Sequence, residues 1–228
     1  MKQNNRIKLI GILLVLYVPL MAQESKVVSD LGLWTGVSLE KSLKKDWTFS
    51  LKQEFRFKED ISTFNNVFTQ AGVRYRLNRN FALEGKYRLT WDKKNDGSME
   101  LSSRYSFDLR FKGRLDYISI YYRLRYQKEV KGMDLISLDE PYEKYLRNRL
   151  QIRYTDLKKI EPYLSAEIFQ LFELYQFPRY HYMRFLVGVR YNPGKIGVFN
   201  LAYGINRELN STLPATFYIF KLNYTYAF

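Results

Sequence analysis

The feature that most constrains this chain is a side-chain alternation of period two, sustained over unusually long segments. Residues 47–58 show it plainly. Trp47, Phe49, Leu51, Phe55 and Phe57 alternate with Thr48, Ser50, Lys52, Glu54, Arg56 and Lys58. Successive side chains of a strand point to opposite faces, so this segment is a strand with one greasy and one charged face. The same pattern recurs at 28–40, 66–77, 81–91, 101–112, 117–127, 144–155, 162–174, 180–191, 196–206 and 216–228. In 28–40 the apolar phase is Leu31, Leu33, Val37 and Leu39, and Trp34 breaks it. No stretch after residue 22 reads as an amphipathic helix. The segments run to about 11–13 residues, near the length of a tilted membrane-spanning strand. Strands of soluble proteins average about half that.

Composition points the same way. Aromatics make up 17% of the chain, with 20 Tyr and 16 Phe, yet the mean hydropathy is only -0.38. These facts are compatible when apolar and polar residues interleave, as in a transmembrane β-barrel. The chain has no Cys, which excludes disulfides, cysteine metal sites and a lipid-modified cysteine. Residues 1–22 read as a cleaved signal peptide. Lys2, Arg6 and Lys8 form its basic start, residues 9–18 its apolar core and residues 19–22 its exit, with cleavage expected between Ala22 and Gln23. The apolar run is too short for a spanning helix, which needs roughly 20 residues. The expected organisation is therefore a signal peptide at 1–22 and one all-β, antiparallel transmembrane barrel at 23–228. The net charge of +14 comes from residues scattered singly along strands, with no basic run or nucleic-acid motif. No nucleic-acid partner is expected.

The connections alternate in length. Short ones fall at 41–46, 78–80, 113–116, 156–161 and 192–195, and longer ones at 59–65, 92–99, 128–143, 175–179 and 208–215. Outer-membrane barrels have short periplasmic turns and longer outer loops, which places the C-terminus in the periplasm. Eleven segments conflict with the even strand number of bacterial single-chain barrels. Two resolutions are expected: 28–40 is a partial or lumenal strand beside ten wall strands, or a missed strand makes twelve. The last strand places Tyr218, Phe220, Leu222, Tyr224, Tyr226 and Phe228 on one face. It resembles the closing strand of outer-membrane barrels, which implies an assembly signal at Tyr224, Tyr226 and Phe228 read by the barrel-assembly machinery. A soluble edge strand is usually blunted with charge instead.

Several stretches together resemble one family. They are WTGVSLEKSLKKDWTFSLKQEFRF (34–57), YRLNRNFALEGKYRLTW (75–91), SRYSFDLRFKGR (103–114), YLRNRLQIRY (145–154), EPYLSAEIF (161–169) and MRFLVGVRYNPGK (183–195). They resemble a group of predicted outer-membrane β-barrels, a domain of unknown function found mainly in Bacteroidetes-type Gram-negative bacteria. The resemblance implies a barrel in the outer membrane. It implies no activity, cofactor or catalytic residue.

The polar phase of the strands carries a basic set: Arg74, Arg88, Arg104, Arg110, Arg123, Arg125, Arg147, Arg149, Arg153, Arg184 and Arg190, with Lys52, Arg56, Arg76, Lys86 and Lys221. Glu54, Glu84, Asp108 and Glu167 share that phase. In a barrel these residues point inward. They form either an anion-favouring lumen or a salt-bridged plug with charges paired between neighbouring strands. A barrel of about eight strands is filled by its own side chains, and an aqueous channel needs about sixteen. At 10–12 strands a plug with a narrow anion path is expected. His181 is the only histidine and shares the phase of Met183 and Phe185, which places it on the lipid side near the outer rim. Any histidine-based lipid hydrolase has to use it, but no serine in matching phase flanks it. The expected partners are outer-membrane lipid, the assembly machinery and a small anionic solute. No metal spacing or cofactor motif is present. Removing Phe228 is expected to lower the amount of assembled barrel in the membrane fraction several-fold, as measured by heat-modifiable gel migration.

Overall fold

The computed structural model describes residues 29–43, 46–131, 143–173, 177–194 and 196–228. The signal peptide read at 1–22, and the part of the longest loop at 132–142, lie outside the described residues. The alternating segments form eleven strands: β1 (Ser29–Leu43), β2 (Trp47–Lys58), β3 (Thr63–Arg76), β4 (Phe81–Lys93), β5 (Met99–Leu115), β6 (Ile118–Lys131), β7 (Glu143–Tyr154), β8 (Ile160–Phe172), β9 (Arg179–Tyr191), β10 (Val198–Glu208) and β11 (Thr216–Ala227). They close into one barrel in which each strand pairs with its sequence neighbours and β1 meets β11.

Neither expected resolution of the strand count holds. β1 is a full wall strand, and the barrel closes with eleven. Ten successive reversals leave β1 and β11 running in the same direction, so their seam is the one parallel pair. It is in continuous register from Ser29 opposite Thr216 to Glu40 opposite Ala227. The Phe228 amide adds a hydrogen bond to the Glu40 carbonyl at 3.0 Å. Parallel ladders pair as completely as antiparallel ones and are only slightly weaker per residue, so an odd count leaves no open edge.

Trp34 does not break the alternation of β1. It sits in the inward phase with Gly32, Gly36, Ser38 and Glu40, opposite Lys221 on one side and Arg56 on the other. An aromatic residue on the inner face only resembles a fault when every aromatic is assigned to the outside. Gly36 permits a close approach of β1 to β2, because a Cβ there would lie 2.4 Å from the Gln53 carbonyl oxygen. Residues 128–131, read as loop, belong to β6, where their backbone pairs with residues 102–105 of β5.

The outward face is a continuous apolar wall. Leu51 is 50% exposed, Phe107 62%, Leu201 58% and Leu222 46%. Large contiguous apolar surfaces of this kind are rare on soluble monomers. The inner face is where the chain is buried, and it is largely polar: Glu54, Glu84, Asp108, Arg125 and Glu167 are all at most 6% exposed, alongside Phe68 and Ile219.

The seam is testable because the chain has no native cysteine. Ser38 and Thr225 face each other on the inner side of β1 and β11, and adjacent strands lie about 4.8 Å apart, within disulfide range. The pair Ser38→Cys/Thr225→Cys is expected to cross-link on oxidation, seen as a mobility shift on non-reducing gels. The offset pair Ser38→Cys/Tyr224→Cys, with side chains on opposite faces, is expected not to.

Candidate functional site: the charged lumen

Direct cross-strand pairing sorts the inward residues into rows that wind around the barrel. One row runs Arg74, Glu84, Asp108, Arg125, Arg147, Phe169 and Tyr182. The next runs Arg110, Arg123, Arg149, Glu167, Arg184 and Asn206. Within these rows carboxylates are fewer than cations, so each is shared. Lys86 donates to Glu84 at 2.7 Å, Arg110 at 2.8 Å and Arg74 at 3.5 Å. Arg125 grips Asp108 through two bonds of 2.6 and 2.7 Å, and Lys86 lies 3.2 Å from the same group. Lys52 and Arg56 donate to Glu54 at 2.5 and 2.9 Å. Glu167 accepts from Arg123 and from Arg147 at 3.0 Å, with Arg184 at 3.9 Å. An ionised carboxylate offers about four lone-pair sites and no donor. One such group therefore holds two or three guanidinium or ammonium groups, and its own desolvation is offset.

Inward aromatics supply further partners. Arg88 lies 3.6 Å above the Phe68 ring, Arg56 4.0 Å above Trp34 and Arg147 4.1 Å above Phe169. Cations over such ring faces are attracted by the ring quadrupole, more strongly when desolvated. From the sequence, Phe68 and Phe169 are given no face and Trp34 reads as a break in the alternation. The available signal was phase, since Phe68 alternates in step with Gln70 and Arg74, and Phe169 with Glu167.

The charged side chains leave a cavity of about 470 Å³ in the lumen. Ten arginines and three lysines line it, against six glutamates. Of the basic residues picked out from the sequence, Arg74, Arg88, Arg104, Arg110, Arg123, Arg125, Arg147, Arg149 and Arg184 reach it, with Lys52, Arg56, Lys86 and Lys221. Arg153 and Arg190 do not. They share Glu161, at 2.9 and 2.8 Å, close to the short-turn end of the barrel. Arg76 also lies near that end, and it is exposed.

His181 is not on the lipid side. The β8–β9 register slips between Phe169 and Gln170, which pair with Tyr182 and Tyr180 and leave His181 as the extra residue of a bulge. Bulges re-aim side chains, and here the imidazole turns in beside the lumen-lining Tyr145. Nδ1 lies 2.8 Å from the Tyr145 hydroxyl, and the two rings stack at 5.8 Å. Tyr182 packs at 4.0 Å, and Glu208 Oε1 is 3.8 Å from Nε2. Among the described residues no serine or threonine hydroxyl bonds to His181, and no group of His, Asp and Glu is arranged to hold a metal ion.

Glu167, like Glu84, is shared by three cations. Replacing it with Gln is expected to cost about 3–5 kcal/mol, the usual penalty for stripping one partner from a buried ionic group. Glu161→Gln, nearer the surface, is expected to cost less. Denaturant unfolding of the two variants in detergent checks the order.

No curated protein and no solved structure matches this chain. A family model described as a protein of unknown function (DUF2490) matches residues 31–213, from β1 through β10. With most of its length covered, the chain belongs to the DUF2490 family of β-barrel proteins of unknown function.

Proposed function

We propose that this protein is an outer-membrane barrel of a Gram-negative bacterium whose basic lumen binds small anions and passes them along a narrow path. The observation that carries the reading is the cavity itself, with more than twice as many cations as carboxylates on its wall. Arginines in a structural plug need only balance the acids. Here they exceed them, and the excess faces open space.

The membrane location has separate support. Large apolar side chains cover the outward face. Near the short-turn end aromatic rings gather in contact: Trp47 with Tyr75 at 4.7 Å, Phe81 with Phe111 at 5.2 Å and Phe199 with Tyr224 at 5.0 Å. That arrangement suits an interfacial girdle. Lipid and the assembly machinery are then the expected partners, and residues 1–22 the export signal. The reading contains no catalytic step, and the inward turn of His181 removes the lipid-facing base that a lipid hydrolase reading needs.

Planar-bilayer recording tests the proposal. The expected result is a small, anion-selective conductance whose reversal potential in a KCl gradient moves towards zero in Arg123→Ala and Arg149→Ala. A cation-selective conductance, or a non-conducting barrel whose lipid hydrolysis disappears in His181→Ala, would overturn it.

A further inference from the structure

We infer that the lumen contains a specific oxyanion site, built by Arg149 of β7, Arg184 of β9 and Lys221 of β11, that holds a phosphate-like group. The inference deepens the proposed function and rests on the basic lumen described there.

Three observations single out this place. First, Arg149 and Lys221 line the cavity, yet among the described residues neither has a carboxylate within 4.0 Å or any hydrogen-bond acceptor. The single acid in the row of Arg149, Glu167, is taken by Arg123, Arg147 and Arg184. Second, all three line the same cavity: Lys221 reaches in from the seam strand β11, Arg149 from β7 and Arg184 from β9. Third, two arginines of this row, Arg123 and Arg184, each keep a buried Nε with no acceptor.

Without a ligand this arrangement is unfavourable. Arg123 and Arg149 are direct cross-strand neighbours, and like charges so placed repel. An ammonium or guanidinium held out of bulk water needs a counter-charge or acceptors. A tetrahedral oxyanion supplies both. Its oxygens match the planar fork of a guanidinium two at a time, while lysine contributes a mobile point charge. Chloride has no such pattern of acceptor directions, so phosphate or sulfate is expected to bind better at equal ionic strength. The cavity volume of about 470 Å³ is ample for one phosphate with waters, each of which occupies about 30 Å³.

The test uses the full-length barrel folded in detergent, with the unfolding midpoint followed by heat-modifiable mobility. Sodium phosphate is titrated against sodium chloride at matched ionic strength. The expected result is a saturable rise, reaching about a hundredfold shift in the folding equilibrium when phosphate is a hundred times its Kd. Arg149→Gln and Lys221→Gln are expected to lose that rise. Arg153→Gln, whose partner Glu161 lies outside the cavity, should keep it. In phosphate-free buffer Arg149→Gln should melt no lower than the unmutated protein, because it relieves repulsion with Arg123. A residue needed only for structure would do the opposite. Arg149→Lys, which keeps the charge and loses the fork, is expected to bind phosphate at least tenfold more weakly. A parallel titration with a phosphate-diester lipid in the micelles distinguishes a headgroup from a free anion as the source of the group.

A rise that follows ionic strength alone, or one that survives in Arg149→Gln, overturns the site. If the site fails while the chloride conductance stays anion-selective, the conduit stands without it. If phosphate binds saturably and the conductance is absent, the site stands and the conduit falls.

Discussion

The constraint on which the rest depends is backbone pairing around a closed ring. A sheet with an apolar outer wall and an ionic inner face has no tolerable edge, since an open strand exposes unpaired amides beside greasy side chains. Eleven strands joined by hairpins bring the two ends of the sheet together in the same direction, and the parallel β1–β11 seam is the remaining way to pair them. Closure then dictates the lumen. Once the ring is shut, every alternate residue of every strand is confined to a narrow interior, whatever its charge.

That confinement explains the sharing of carboxylates. Taking an ion out of water costs several kcal/mol even after relaxation, unless a well-placed counter-charge offsets it. With few acids available, those that are present sit at the centres of clusters: Glu84 among Arg74, Lys86 and Arg110, and Glu167 among Arg123, Arg147 and Arg184. Aromatic rings take part of the remaining charge, as Phe68 does for Arg88. The cations left over are those facing the cavity, where water or an anion can reach them.

Much of this was legible in the sequence, because a period of two is a direct readout of facing. The alternation in 47–58 or 101–112 identifies both the strand and the side of the wall on which each residue lies. The seam was less legible. Parity of strand number is an expectation about how barrels are usually closed, and nothing in residues 28–40 says which partner the first strand takes. His181 was misplaced for a different reason. A single extra residue inverts every assignment beyond it, and the bulge between Phe169 and Gln170 leaves no mark in the pattern of side chains. Trp34 was read as a break in the alternation and Phe68 was given no face, although the phase of both indicates the lumen.

The distribution of charge along the barrel axis bears on how an anion would be selected. At the long-loop rim the inward residues include Glu129, Glu143 and Glu208, with His181 beside the last of these. At the short-turn end Arg153 and Arg190 share the single carboxylate Glu161, which leaves one positive charge over. The unbalanced positive charge therefore runs from the middle, around Arg88, Arg149 and Lys221, towards the short-turn end, and is shielded at the long-loop rim. A field that is basic at depth and acidic at the rim attracts anions poorly from a distance. Salt in the medium weakens the attraction further, because the Debye length is about 8 Å at physiological ionic strength. Discrimination in such a lumen comes from contact once the ion is inside, where water is scarce and a guanidinium fork is strong. That favours ligands with several well-directed oxygens over simple halides, and it favours retention over fast flow.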